Sequence, residues 1–228
     1  SDTEPPELPS GDAVAMLIYT SGTTGQSKGV ALTHDALTAN IGSTTSLWQW
    51  SPSDHLVLTL PLFHVHGLGL GVLGTLFHQM TATIHPRFDA EQVVRSIGLG
   101  GTIFMGVPTM YARLISHLET QQSSREILAK ARLYTSGSAA LPDSAHHAFE
   151  TLTGHRILER YGMSETGFTL SNPYDQPRKP GSVGHPVPGY EVRVVNEAGE
   201  TCKAGESGEI WVRGTGLMQA YWQQPEIT

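Results

Sequence analysis

Cysteine, clustered positive charge and long apolar runs are the scarce features of this 228-residue chain. Its single cysteine, Cys202, excludes an intrachain disulfide and is typical of a reducing compartment. Its 14 Lys and Arg residues are scattered and the net charge is −7, which argues against a nucleic-acid or anionic-membrane surface, because phosphate contacts need clustered cations. The longest apolar stretch, residues 67–77, is too short and too rich in glycine to cross a bilayer. We therefore expect a soluble cytoplasmic protein with no nucleic-acid partner and no membrane span.

The hydrophobic content of 39% is enough for a sizeable core in one or two domains. Residues 1–12 are acidic and rich in proline, and we interpret them as a linker, not a signal peptide. Residues 13–172 alternate between strand-like and helix-like segments, which predicts an α/β core with a mostly parallel sheet and helices on both faces. In residues 173–228 Gly and Pro become frequent and the strands short, which predicts a small β-rich subdomain.

The predicted strands of the core are 13–19, 30–32, 55–60, 80–85, 102–105, 133–136 and 156–159. The predicted helices begin at Thr33 and after Asp89, and cover residues 68–77, 110–118 and 144–152.

A loop rich in glycine and hydroxyl groups lies between the first two predicted strands. Residues 19–30 read Tyr-Thr-Ser-Gly-Thr-Thr-Gly-Gln-Ser-Lys-Gly-Val. Glycines let backbone N–H groups approach a ligand, hydroxyls add donors, and Lys28 adds one mobile positive charge, so the loop is suited to a polyphosphate. It is not a P-loop, because Ser27 and not glycine precedes Lys28 and no helix follows directly. The alternative, an ordinary polar hairpin turn, needs neither the hydroxyls nor the lysine.

Residues 19–29 resemble the phosphate loop of the adenylate-forming family, which comprises acyl-CoA synthetases, luciferases and peptide-synthetase adenylation domains. Only Ser27 departs from the pattern, standing where proline is usual. A second segment, residues 161–166, reads Tyr-Gly-Met-Ser-Glu-Thr and is similar to the family motif Tyr-Gly-x-Thr/Ser-Glu. The resemblance runs from about residue 13 to the C-terminus. It implies part of the large N-terminal domain, ending in a distorted barrel-like subdomain, without the family's N-terminal segment and C-terminal domain.

The resemblance implies a two-step reaction in which a carboxylic acid attacks the α-phosphate of ATP and the acyl group then passes to coenzyme A. It assigns catalytic roles to Lys28, Ser164, Glu165 and His64, with Glu165 on Mg²⁺ and the Ser164 hydroxyl on the α-phosphate. The implied ATP-binding residues are Thr20, Ser21, Gly22, Thr23, Thr24, Gly25, Lys28, Ser138, Ala139, Glu159, Arg160, Tyr161, Gly162, Met163 and Ser164.

Within that set, Tyr161 is expected to stack on adenine, with residues 136–140 as the opposite wall. Taken alone, Glu165 would be a solvated surface charge, and the motif before it favours the metal role. The same segment is not a Gly-x-Ser-x-Gly hydrolase turn, because Thr166 stands where the second glycine is needed.

His64 and His66 flank Val65 in a His-x-His segment. Such a pair would supply two metal ligands from one strand face, but no third ligand follows at a matching spacing. The family has a Phe-His-x-x-Gly segment here that lines the acyl pocket. The resemblance therefore implies that His64 lies near the reacting carboxylate, and leaves the role of His66 open.

Four segments look like malonyl-CoA synthetases, namely residues 61–68, 106–111, 136–142 and 171–175. A dicarboxylate needs a cation for its unreactive carboxylate, and Arg113 and then Arg132 are the candidates, with an ordinary ion pair as the alternative for each. Val65 and Phe168 stand at pocket positions where threonine and methionine are usual, so methylmalonate or another short acid stays open. Two other functions also stay open: a nucleotide-binding module without turnover, and an adenylation domain of a peptide or polyketide assembly line.

Overall fold

The computed structural model describes residues 7–21 and 27–228. Strands β1 (Val14–Ser21) and β2 (Ser27–Thr33) form an antiparallel pair in which Thr20 lies opposite Lys28. The two strands flank the predicted phosphate loop, as expected. Of that loop, Gly22, Thr23, Thr24 and Gly25 lie outside the described residues, and Ser21 is described by its backbone alone.

A seven-stranded sheet forms the centre of the molecule. Its strands are β3 (His55–Leu58), β4 (Thr81–Ile84), β5 (Ile103–Gly106), β6 (Leu133–Ser136), β7 (Leu158–Met163), β8 (Gly167–Ser171) and β9 (His185–Pro186). Their order is β4-β3-β5-β6-β7-β8-β9, with parallel pairing from β4 to β7 and antiparallel pairing of β8 and β9. The predicted mostly parallel sheet is confirmed.

Six α-helices are present in the described residues, namely α1 (His34–Leu47), α2 (Gly74–Phe77), α3 (Ala90–Gly98), α4 (Pro108–Thr120), α5 (Gln122–Leu128) and α6 (Asp143–Thr153). The Thr33 hydroxyl caps α1 by accepting from the Ala36 N–H at 3.1 Å, and the Asp89 carboxylate caps α3 in the same way. A π-helical segment, His66–Leu73, runs directly into α2, with the Leu70 N–H donating to the Val65 carbonyl at 3.0 Å. The helix predicted over 68–77 therefore begins two residues earlier and is wider than an α-helix at its start.

Helices pack on both faces of the sheet, as predicted, because successive strand residues point to opposite sides. On one face Val57, Phe104 and Tyr134 meet the buried apolar side chains of α3, α4, α5 and α6. On the other face the strands' alternate residues, such as Leu56 and Met105, meet Trp48, Trp50 and Leu70.

The last part of the chain contains β10 (Tyr190–Val195), β11 (Glu209–Gly214), β12 (Ala220–Tyr221) and a 3₁₀ turn over Pro225–Ile227. β10 and β11 form an antiparallel hairpin, β9 extends the large sheet, and β12 pairs with β2. This β-rich segment is therefore joined to both other sheets. Across the described ranges, no helix has the combined length and apolar character that crossing a membrane requires.

Candidate active site

A cavity of about 710 Å³ opens beyond the carboxyl ends of the parallel strands. Ligands of α/β proteins bind in crevices at this end of a sheet, and the volume is in the range of small-molecule sites. The cavity is lined by Thr20, Lys28, Leu60, Pro61, His64, Val65, His66, Gly67, Val107, Met110, Ser138, Arg160, Gly162, Met163, Ser164, Glu165, Gly167, Phe168 and Tyr221.

Two segments that are distant in the sequence meet at this cavity. Thr20 and Lys28 reach it from the facing strands β1 and β2, on either side of residues 22–26. Ser164 and Glu165 reach it from the turn that connects β7 to the antiparallel β8. Gly162 is required beside this turn, because a Cβ there would collide with the backbone of Gly167. The structure thus brings the predicted phosphate-binding lysine and the predicted metal-binding glutamate to one site.

Tyr221 connects these two charged residues. Its hydroxyl donates a hydrogen bond to Glu165 Oε1 at 3.0 Å, and the Lys28 ammonium lies 5.1 Å from the centre of its ring. The sequence analysis missed this residue. No local pattern identifies it, because it reaches the cavity only through the pairing of β12 with β2.

Arg160 is a buried cation inside the cavity. It is 5% exposed, its Cζ lies 4.4 Å from the centre of the Phe168 ring, and its Nε and Nη2 have no hydrogen-bond partner among the described residues. Burial lowers the pKa of Arg160 to about 9, so it is still protonated at neutral pH. A buried charge without a counterion is costly, so this guanidinium is a candidate binding group for an anion.

His66 lies beside Arg160 at the inner wall of the cavity. It is buried, its ring centre is 5.8 Å from that of Phe168, and neither ring nitrogen has a partner in the described part of the chain. Burial, together with nearby Arg160 and His64, lowers the pKa of His66 well below its usual 6.5. The imidazole is therefore neutral at pH 7 and offers one donor and one acceptor to a ligand. His64, by contrast, is exposed at the rim.

Backbone constraints also shape the cavity near Arg160 and Phe168. Gly137 leaves room for the guanidinium of Arg160, which a Cβ at this position would displace. Ser138 follows with φ of 67°, a left-handed conformation that is strained for a residue other than glycine and is found disproportionately at functional sites. Asn40 on α1 clamps Phe168 by accepting from its N–H at 3.0 Å and donating to its carbonyl at 2.9 Å.

Glu159, Arg113 and Arg132 were predicted site residues and have other structural roles. The buried Glu159 carboxylate accepts from His146 Nε2 at 3.0 Å and from the Gly181 N–H at 2.9 Å, so it faces α6 and not the cavity. Arg113 is exposed, with its guanidinium 4.8 Å from the centre of the Phe88 ring, at a surface depression away from the cavity. These positions correct the predicted contact of Glu159 with the nucleotide and of Arg113 with the substrate.

Arg132 also forms an ion pair outside the cavity. Its Nε and Nη2 donate to the two carboxylate oxygens of the buried Asp54 at 2.6 Å each, and it also donates to the carbonyls of Trp48 and Gln49. It therefore anchors the end of α1, which corrects its predicted role as a substrate ligand. Ala139 and Tyr161 also lie outside the cavity lining, and stacking of Tyr161 on adenine stays a prediction.

The donor atoms at Glu165 fit a magnesium ion. With Oε1 bonded to Tyr221, Oε2 has no hydrogen-bond partner among the described residues, and Ser164 also lines the cavity. Mg²⁺ is commonly held by one carboxylate together with phosphate oxygens and water, so a single glutamate is sufficient. Within residues 7–21 and 27–228, no group of three or more His, Cys, Asp and Glu residues is placed to hold a metal.

Residues 1–222 match the sequence model of the family described as AMP-binding enzyme, and the chain therefore belongs to that family. It is 38% identical to the malonate–CoA ligase of Arabidopsis thaliana, over 95% of this chain and 38% of that protein. A malonyl-CoA ligase in complex with methylmalonyl-CoA and AMP is 42% identical, with a TM-score of 0.93 over 98% of this chain and 48% of that one. ATP-bound MatB of Rhodopseudomonas palustris is 39% identical, with a TM-score of 0.90 over 96% of this chain and 43% of that one.

The chain thus spans less than half the length of these relatives. The resemblance to adenylate-forming acyl-CoA synthetases and the assignment to their N-terminal domain are both confirmed.

Proposed function

We propose that the protein containing this chain is an ATP-dependent acid–thiol ligase that activates malonate or methylmalonate and transfers the acyl group to coenzyme A. The observation that carries the proposal is the buried cation Arg160, whose Nε and Nη2 have no hydrogen-bond partner among the described residues and which lines the same cavity as Lys28, Ser164 and Glu165. The named relatives act on malonate or bind methylmalonyl-CoA, AMP or ATP, which supports the same substrates here.

The cavity contains one group of side chains suited to phosphates and another suited to a carboxylate. Lys28, Thr20, Ser164 and Glu165 supply a positive charge, hydroxyls and a metal-binding carboxylate, which are suited to a triphosphate. A magnesium ion, when bound, would neutralise phosphate charge as pyrophosphate leaves. In the reaction, one carboxylate oxygen of the acid bonds to the α-phosphorus and the bond from that phosphorus to the bridging oxygen breaks. The protein contributes mainly alignment and charge stabilisation, because it forms no covalent bond to the substrate in this step.

Arg160 and His66 give the acid end of the cavity its preference for a second carboxylate. A guanidinium binds a carboxylate through two parallel hydrogen bonds, and neutral His66 can donate a third. A monocarboxylic acid that uses its only carboxylate for the reaction would leave Arg160 buried and unpaired. Phe168 and Val65 limit the space beside it, which favours a short acid.

The test is pyrophosphate release by the full-length protein with ATP, Mg²⁺ and malonate, methylmalonate or acetate. We expect turnover with one of the two diacids and little with acetate. In Arg160→Met, kcat/KM for the diacid should fall about 150- to 5,000-fold, because breaking a buried ion pair costs about 3–5 kcal/mol.

Arg213→Met is the matched control, because this arginine forms an exposed ion pair with Glu191 on the β10–β11 hairpin. It should keep wild-type kinetics. Arg113→Met tests the alternative suggested by the sequence, and should also be close to wild type. Pyrophosphate release with no diacid at all, or unchanged diacid kinetics in Arg160→Met, would contradict the proposal.

The division into a linker (1–12), an α/β core (13–172) and a β-rich subdomain (173–228), and a cytoplasmic location, stay part of this proposal. The contacts of the predicted phosphate loop with ATP are also part of this proposal.

A further inference from the structure

Tyr221 is held at the cavity by backbone hydrogen bonds of the residues before and after it in the sequence. β12 pairs with β2 so that Tyr221 lies opposite Val30, and the Trp222 N–H donates to the Gly29 carbonyl at 2.7 Å. Three residues before it, the Met218 N–H donates to the carbonyl of Glu165, also at 2.7 Å. The short segment 218–222 therefore connects the strand that carries Lys28 with the turn that carries Glu165.

The side chain of Tyr221 makes a different contact with each of the two charged residues. The hydroxyl bonds to Glu165 Oε1 at 3.0 Å, and a hydrogen bond to a carboxylate is stronger than one between neutral groups. This bond occupies one carboxylate oxygen and fixes the direction of the other. The ring face lies 5.1 Å from the Lys28 ammonium, within the range of a cation–π attraction. Burial and the adjacent Glu165 raise the pKa of Tyr221, so its hydroxyl stays protonated as a donor.

We propose that Tyr221 is a positioning residue: its hydroxyl orients Glu165 so that Oε2 faces the metal, and its ring holds Lys28 toward the phosphates. The inference rests on the proposed function, because it assigns Glu165 to the metal and Lys28 to ATP. It assigns separate roles to the two parts of one side chain. Removing the hydroxyl alone should affect the metal, whereas removing the ring should affect ATP as well.

The first measurement is Mn²⁺ affinity in the presence of ATP, followed by electron paramagnetic resonance on the full-length protein without acid substrate. Tyr221→Phe keeps the ring and loses the hydroxyl, and it should bind Mn²⁺ about tenfold more weakly, since a hydrogen bond to a charged group is lost. ATP affinity at saturating Mn²⁺ should stay within about twofold of wild type. Tyr221→Leu should weaken Mn²⁺ binding and, in addition, ATP binding at saturating metal.

Two further variants make the test specific. Tyr134→Phe also removes a buried tyrosine hydroxyl, which bonds to the Leu128 carbonyl in the core, and it should leave Mn²⁺ affinity unchanged. In a Glu165→Gln background, Tyr221→Phe should have little further effect, because the hydroxyl acts through the Glu165 carboxylate.

Wild-type Mn²⁺ affinity in Tyr221→Phe, or the same loss in both Glu165 backgrounds, would overturn the inference. Failure of the proposed function appears differently, as absence of pyrophosphate release from the wild-type protein with every acid tested. The two failures are therefore distinguishable, since one is observed in the variants' metal affinity and the other in wild-type turnover.

Discussion

Replacing Gly137 by alanine should separate activity from stability. A Cβ at this position would lie 2.5 Å from Nε and 2.8 Å from Nη1 of Arg160, whereas ordinary contacts begin near 3.4 Å. The guanidinium must therefore move by roughly 1 Å, and a displacement of that size can cost about 100-fold in rate. The fold itself should change little in stability, because the atoms in the way are at the end of a flexible side chain.

The assay is kcat/KM for the diacid, measured beside urea unfolding. Gly137→Ala should lower kcat/KM about 100-fold with a change in unfolding free energy below about 1 kcal/mol. Gly154→Ala is the matched control, because Gly154 has φ of 77° at the end of α6 with no atom near its Cβ position. It should lose about 1 kcal/mol of stability and keep wild-type kinetics. Wild-type diacid kinetics in Gly137→Ala would refute the assigned role of Arg160.

Two other predictions follow from buried groups. Because the pKa of His66 is lowered in the folded state, the unfolded chain binds more protons below pH 6.5, so stability should be constant above that pH and decrease below it. Urea unfolding at pH 7.5 and 5.5 should show a smaller decrease in His66→Phe than in wild type, and an identical decrease would contradict the assignment. Arg132→Met should lower the unfolding free energy by about 3 kcal/mol, since it leaves the Asp54 carboxylate buried and unpaired. Its diacid KM should stay at the wild-type value, and a large rise would restore Arg132 as a substrate ligand.

Local patterns predicted most of the secondary structure. The helical spacing of apolar residues over 110–118 indicated α4, which begins two residues earlier at Pro108, and the Asp89 cap indicated α3, because capping and periodicity are encoded within a few residues. Helix α5 was not predicted, since it is a seven-residue segment with two buried side chains and a weak periodic signal. The strand predicted to end at residue 159 continues as β7 to Met163, because it pairs with β8. Local sequence patterns do not reveal such pairing between strands.

Motifs in the sequence point to some residues of the candidate site, whereas residues that reach the cavity through contacts between distant segments carry no such signal. Lys28, Ser164 and Glu165 belong to recognisable motifs, whereas Tyr221 reaches them only through sheet pairing. The sequence did not single out Arg160 as the substrate cation, because composition does not show which guanidinium is buried without a hydrogen-bond partner in the described part of the chain.

One available signal was overlooked at β7. Neighbouring residues of a strand point to opposite faces, so Glu159 and Arg160 could not both face the nucleotide. The structure turns Glu159 toward His146 and Arg160 into the cavity.

The π-helical segment His66–Leu73 affects how insertions and deletions would change the shape of this cavity. A π-helical turn holds about one residue more than an α-helical turn, and π-helical turns are frequent at functional sites. Deleting a single residue between Leu68 and Leu73 would let the segment relax to an ordinary α-helix. Each residue of an α-helix turns by about 100°, so His66 would rotate away from Arg160 while α2 kept its packing. Single insertions or deletions in this segment would therefore change the position of His66 in the cavity and leave the central sheet unchanged.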